Sequence, residues 1–419
     1  MKAARLGRDA ALIYAAAFLR SATVGLVGVV LAIYLSESGF SATLIGTVIG
    51  SGLAGAAVAT LLVSVRGDAF GRRRTLIALA VLSAVGYVAL AAASHLVVLM
   101  PAAFFGMLNG MGRDRGAASA LDQAILPETA VPERRTWVLA WYNVVLDGGH
   151  AIGALAGATP TLLIRAWHAT PATAHRTTFL ICAVATAISI LPYVALTPRI
   201  EVTNPAISRS KSVPGWGPAS TRLDPNTRRV VTRLAVLFGL DSIGGGFLNS
   251  ALIAYWFFRR YGTSEGELAV LFFAARTLNA TSHVMAAWVA RRIGLVNTMV
   301  LTHLPSSLFL MAAPAAPTVA VAGALFLARE ALVEMDVPTR QSYVMAIVQP
   351  SERTFASGVT NVTRNVGWAL GPSLAGIVMQ HVALAGPLFI GGTLKIAYDL
   401  MLYGSFRNVK APEEQGDDR

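Results

Sequence analysis

Residues 135–153, RTWVLAWYNVVLDGGHAIG, and residues 353–371, RTFASGVTNVTRNVGWALG, decide the fold, because they read as two copies of one helix. With Gln123 set on Gln341 and no gap, Arg135-Thr136 falls on Arg353-Thr354, Asn143-Val144 on Asn361-Val362, Gly149 on Gly367 and Gly153 on Gly371. These matches pair polar residues inside apolar stretches, which chance similarity among a few apolar residue types does not produce. Small shifts carry the correspondence outward: Gly71 and Thr75 meet Gly294 and Thr298, and Ser21 and Tyr34 meet Ser242 and Tyr255. The chain is therefore expected to be an internal duplication.

The apolar character extends over the whole sequence. Its 419 residues are 55% hydrophobic and 13% charged, with a mean hydropathy of +0.59. Soluble domains carry about 25% charged residues. Apolar runs long enough to cross a bilayer as helices recur along the chain, at 10–35, 42–65, 75–94, 97–122, 136–161, 177–197, 231–257, 266–290, 295–314, 317–345, 355–380 and 384–405. No segment alternates apolar and polar residues over about 10 positions, as a barrel strand requires. The run after Met1–Arg8 reaches Leu35, longer than a signal-peptide core of about 7–15 residues, and reads as a retained first span. Residues 198–230, rich in Pro, Ser and Arg, read as a linker. The expected architecture is all-α and membrane-embedded, with twelve transmembrane helices in two pseudo-symmetric six-helix bundles. The bundles occupy 1–197 and 231–406, followed by a tail at 407–419. Parallel repeats of this kind imply a twofold pseudo-axis along the membrane normal and a solute site near the midplane, where the halves meet.

The net charge of +12 raises the possibility of nucleic acid binding, but its distribution points to lipid. About 21 Lys and Arg fall in loops and tails on the side of the N-terminus and about four (Arg165, Arg176, Arg259, Arg260) on the other, so both termini and the linker are expected in the cytoplasm. Compact loops suggest a plasma (inner) membrane. Cys182 is the single cysteine and lies in an apolar run, which excludes a disulfide framework or a cysteine metal site. The seven histidines are scattered and no Gly-x-x-x-x-Gly-Lys loop occurs. No metal, cofactor, nucleic acid partner, built-in ATPase or enzyme chemistry is expected.

After the second span the chain reads Ser64-Val65-Arg66-Gly67-Asp68-Ala69-Phe70-Gly71-Arg72-Arg73-Arg74. This resembles the signature of the major facilitator superfamily between helices 2 and 3, Gly-x-x-x-Asp-Arg-x-Gly-Arg-Arg. Ser64 stands for its first Gly and Ala69 for its first Arg. The resemblance implies a secondary transporter, expected as a monomer, with Asp68, Gly71, Arg72 and Arg73 as gating residues. Gly71 permits a tight turn. Asp68 is suited to face the positive N-terminus of a helix, here span 11 near Thr354. The second-half copy, Arg291-Arg292-Ile293-Gly294, lacks the acid. Gly367-x-x-x-Gly371-Pro372 on span 11 and Gly149-x-x-x-Gly153-Ala154 on span 5 are similar to the helix-5 pattern of the family's drug/proton antiporters. Close helix packing is the alternative reading of these glycines.

Charges inside spans cost roughly 2.5–3.5 kcal/mol even on insertion scales, so they are expected to face a cavity or a partner. Arg20 and Asp241 lie about ten residues into spans 1 and 7, near the midplane. They are expected to face one another, either as substrate and proton sites or as a static pair. Span 4 carries Arg113-Asp114-Arg115, which cannot all face one way on a helix. Asn143, Asp147 and His150 share a face of span 5, with Asn361, Asn365 and Trp368 at the same offsets on span 11, next to Arg364. Asn249 on span 7 joins the polar set. Arg276, Asn279 and His283 form a stripe on span 8. Glu330 and Glu334 are spaced i,i+4 on span 10, where two carboxylates suit a proton carrier and Pro338 invites a kink. Asp336 is expected to pair with a nearby arginine, and Lys395 with Asp399 as an i,i+4 salt bridge. Together these residues imply proton-coupled efflux of a small solute. Proton-coupled uptake of a small anionic solute is the alternative, and a membrane sensor the alternative from another class.

Overall fold

The computed structural model describes residues 7–93, 95–114, 116–131, 134–201, 225–336, 339–340 and 353–406. Arg115, Pro338, most of the linker and the tail lie outside these residues, as do the side chains of His283 and Thr354. The described residues are almost entirely helical and contain no strand. In chain order the helices are α1 (Arg8–Glu37), α2 (Ala42–Phe70), α3 (Arg72–Ala92), α4 (Leu96–Gly106), α5 (Ala117–Ile125), α6 (Arg135–Ala156), α7 (Thr159–Trp167), α8 (Pro171–Ile188) and α9 (Ile190–Val194). They continue as α10 (Pro225–Phe247), α11 (Ser250–Tyr261), α12 (Glu265–Ile293), α13 (Leu295–Ala312), α14 (Val319–Val333), α15 (Arg353–His381) and α16 (Gly386–Phe406).

Local chemistry sets the helix boundaries. Ser41 and Thr170 cap α2 and α8 through their side-chain oxygens, and Pro171 occupies the first turn of α8, where its missing N–H costs nothing. Gly71 (φ +95°) and Gly294 (φ +84°) turn the chain between α2 and α3 and between α12 and α13, a conformation that a side chain would strain. Among the described residues, six stretches are long and apolar enough to cross a membrane by length and composition. They are Arg8–Glu37, Ala42–Phe70, Arg72–Ala92, Pro171–Val194, Val231–Tyr261 and Leu295–Ala315.

By contacts the chain divides into two units. The first holds α1–α9 together with Ser250–Phe273, that is α11 and the start of α12. The second holds α10 and the chain from Ala274 onward. In the first unit α1 packs on α6, and α3 on α8. In the second α10 packs on α15, and α13 on α16. The glycine pairs make these approaches possible. A Cβ at Gly153 would lie 1.9 Å from the Ala22 carbonyl oxygen, and one at Gly371 2.5 Å from the Gly246 Cα.

Two spans differ from the continuous helices expected. Span 4 breaks between α4 and α5: Met107 adopts a left-handed conformation (φ 52°, ψ 42°) and Gly112 has φ +66°. Four glycines in eleven residues, Gly106, Gly110, Gly112 and Gly116, weaken the helix there. Span 10 leaves helical geometry after Val333, with Glu334 as its C-cap.

Candidate functional site

The break between α4 and α5 builds the densest polar cluster of the first unit. Asn109 ties the loop together, donating from Nδ2 to the Arg113 carbonyl (2.7 Å) and accepting from the Met111 N–H (2.8 Å). Ser250 and Ala251 at the start of α11 donate to the carbonyls of Met111 (2.8 Å) and Gly110 (3.1 Å), so backbone groups freed by the break are satisfied in the apolar interior. The Asp114 N–H donates to His150 Nε2 (2.7 Å). The loop thereby aims the Asp114 carboxylate at Arg20 of α1, whose Nε lies 2.5 Å from Oδ2. The same guanidinium reaches Asp122 of α5 (Nη2 to Oδ2, 2.7 Å), Tyr142 of α6 (3.3 Å) and the hydroxyl of Tyr193 of α9. Tyr142 also hydrogen-bonds Asp122 (3.1 Å) and Ser119 (3.2 Å). Asp122, Tyr142 and Tyr193 are buried, and Asp122 Oδ1 has no hydrogen-bond partner among the described residues. Two buried carboxylates thus share one guanidinium.

The second unit holds a related network. Asp241 of α10 accepts from Lys395 of α16 (2.7 Å) and from Arg340, in the helical segment after α14 (3.1 Å). Arg340 is backed by Asp336 at 3.0 Å, as expected for that acid, and its guanidinium lies 5.2 Å above the Phe238 ring. Lys395 Nζ also lies 3.4 Å from Nε2 of His303 on α13, whose Nδ1 contacts both oxygens of Asp399 at 2.9 and 3.0 Å. On α12 and α14, Asn279 donates to Glu330 (2.7 Å), which also pairs with Arg329.

A family model described as the Major Facilitator Superfamily matches residues 13–372. The chain belongs to this superfamily. It is 26% identical over 426 residues to the uncharacterized membrane protein YJR124C of Saccharomyces cerevisiae, covering 96% of this chain and 95% of that one. Among solved structures, a mutant of the nucleoside transporter NupG superposes with a TM-score of 0.75 at 13% identity, over 95% of this chain and 100% of that one. A D-xylose–proton symporter gives 0.70 at 15% identity over 98% of each chain. The human organic anion transporter MFSD10 gives 0.60 at 17% identity over 94% of this chain and 99% of that one. At such identities these structures establish the shared fold. This member of the superfamily is an integral multi-pass membrane transporter.

The superfamily signature in this transporter forms a compact knot. Asp68 pairs with Arg72 one turn away (2.7 Å), and Arg72 also reaches Glu128 (2.5 Å) and the Ile200 carbonyl (3.2 Å). Glu201 caps α3, accepting from the N–H groups of Arg72 (2.7 Å) and Arg73 (3.1 Å). Gly71 carries the turn that presents them. The contact expected at Thr354 falls on a side chain outside the described set.

Several sequence expectations change in this transporter. Arg20 and Asp241 each have partners inside their own unit, Asp114 and Asp122 for Arg20, and Lys395 and Arg340 for Asp241. The sequence pairs Lys395 with Asp399; instead Lys395 takes Asp241, and Asp399 takes His303. Glu330 lies in α14, and Glu334, four residues on, is its C-cap. Both are buried, as are Asp114, Arg276, Asn249 and His150. Asp147 Oδ1 lies 4.0 Å from His150 Nδ1. Arg113 and Asn365 are half-buried, and Asn143 and Asn361 are exposed. Arg364 stacks 4.6 Å above Trp368. Pro338 and its kink lie outside the described residues. The sequence reading missed Asp122, Tyr142, Tyr193 and His303, and took Arg340 only as a partner for the span-10 acids. For Asp122 and Arg340 a signal existed: they immediately precede Gln123 and Gln341, the start of the gap-free repeat alignment.

Proposed function

We propose that this transporter exports a small solute against an inward proton gradient by alternating access, with the Arg20–Asp114–Asp122 cluster as the proton-binding element. The observation that carries this reading is the sharing of one guanidinium by two buried carboxylates, one of whose oxygens has no hydrogen-bond partner among the described residues. Two carboxylates set against one guanidinium leave one negative charge of the buried cluster uncompensated, which a bound proton would neutralise, and its release would strengthen the hold on Arg20. The fold is shared with a D-xylose–proton symporter, and the span-5 glycine pattern supports export. Uptake of a small anionic solute with protons is the second reading, favoured by buried Arg276 and by Arg364 on Trp368. The Lys/Arg asymmetry supports cytoplasmic termini in a plasma membrane. The repeat supports halves at 1–197 and 231–406, and membership of the superfamily supports a monomer.

The test is transport by the reconstituted chain in liposomes with an imposed pH gradient, across a panel of cationic, anionic and neutral solutes, with internal pH followed by a dye. Wild type should move protons only when a transported solute is present. Asp122→Asn should abolish that coupled proton movement while leaving solute exchange at equilibrium intact. Proton coupling undiminished in both Asp114→Asn and Asp122→Asn would overturn the assignment.

A further inference from the structure

Lys395 has two carboxylates within its reach and uses one. In this structure its ammonium sits on Asp241 of α10 at 2.7 Å. The other carboxylate is Asp399, one turn further along α16, and helical geometry places side chains at i and i+4 on the same face. Rotation about the lysine side-chain bonds would carry the ammonium from one to the other without moving the backbone. It already leans that way: Nζ is 3.4 Å from His303 Nε2, and the same ring holds Asp399 through Nδ1. With Nδ1–H donated to Asp399, Nε2 is an acceptor turned toward the ammonium.

We propose that Lys395 is an exchange arm with two seats, Asp241 on α10 and Asp399 on its own helix, whose transfer ties or unties α10 and α16. Neither seat is left bare when the arm departs. Asp241 keeps Arg340 at 3.1 Å, itself backed by Asp336, and Asp399 keeps His303. All of these groups are buried, so an arrangement that stranded a charge would be excluded, whereas this one offers two compensated states of the same residues. Tyr398, packed edge-on against His303 with centroids 6.2 Å apart, completes the surroundings on α16. The functional consequence, a tie on α10 that is made and broken during transport, rests on the function proposed above; the two seats themselves do not.

The test is a thermal-melting cycle on the purified full-length chain in detergent, which needs neither solute nor proton gradient and therefore fails or succeeds independently of the coupling experiment. Asp241→Asn and Asp399→Asn should each lower Tm modestly, because the ammonium keeps a seat. The double variant should lose at least about twice the sum of the single losses, since Asp241 and Asp399 act as alternatives for one buried cation. Adding Lys395→Met to the double variant should recover about half of that loss or more, and adding Lys395→Arg should not, because the cation persists. Additive single losses, or no recovery with methionine, would overturn the proposal. If the double variant does not fold, folding of the methionine triple variant supports it and failure of that triple variant overturns it.

Discussion

The two units use one scaffold with opposite electrostatics. In the first, a cation on α1 (Arg20) meets an acid on α5 (Asp122); in the second, an acid on α10 (Asp241) meets a cation after α14 (Arg340). The positions correspond: Arg20 and Asp241 precede the matched Ser21 and Ser242, and Asp122 and Arg340 precede Gln123 and Gln341. The duplicated helix contact has thus been kept with its charges exchanged. What surrounds it differs. The first unit sets two acids on one cation and, among the described residues, leaves an acid oxygen without a hydrogen-bond partner. The second sets two cations on Asp241 and continues into His303 and Asp399. The lesson is that the repeat preserves where a buried ion pair is needed to join the helices, while the neighbours decide how many partners each charge has.

The largest expected effect tests that difference in redundancy. Arg20→Met leaves Asp114 and Asp122 without their cation and should cost about 3–5 kcal/mol, visible as failed expression or a large fall in Tm. Lys395→Met leaves Asp241 on Arg340 and Asp399 on His303, so it should cost only about 1–2 kcal/mol. Equal losses would break the contrast between a single and a doubled cation.

Packing, unlike charge, should respond alike in the two units. A Cβ at Gly153 meets the Ala22 backbone and one at Gly371 meets the Gly246 backbone, neither of which can rotate away. Gly153→Ala and Gly371→Ala should each cost about 1–3 kcal/mol by melting, within about 1 kcal/mol of each other. A tolerant site in one half would show that only the other depends on close approach.

The smallest effect is expected where the units differ in sequence outright. Asp68, about one-third exposed beside Arg72, has no acid at the matching place before Gly294. Asp68→Asn should change stability by less than about 1 kcal/mol. A larger fall in Tm would make this pair part of the structural difference between the halves.

Much of this was legible in sequence. Helix positions, the duplication, the signature loop and the burial of ionisable residues all follow from hydropathy period and residue matching. The partner of each charge was not. Mid-span depth gave Arg20 neither Asp114 nor Asp122 as a partner, and one-turn spacing joined Lys395 to Asp399. The break in span 4 was signalled by Gly106, Gly110, Gly112 and Gly116, yet the apolar flanks outweighed them.

The sequence by itself determined that this is a duplicated helical membrane protein and which residues the bilayer would force inward, because the cost of exposing charge or backbone to lipid acts residue by residue. Only the tertiary structure decided which buried charges meet. That choice depends on distances of a few ångströms between side chains far apart in the chain, such as Arg20 and Asp122 or Asp241 and Lys395, and spacing along one helix carries no information about them.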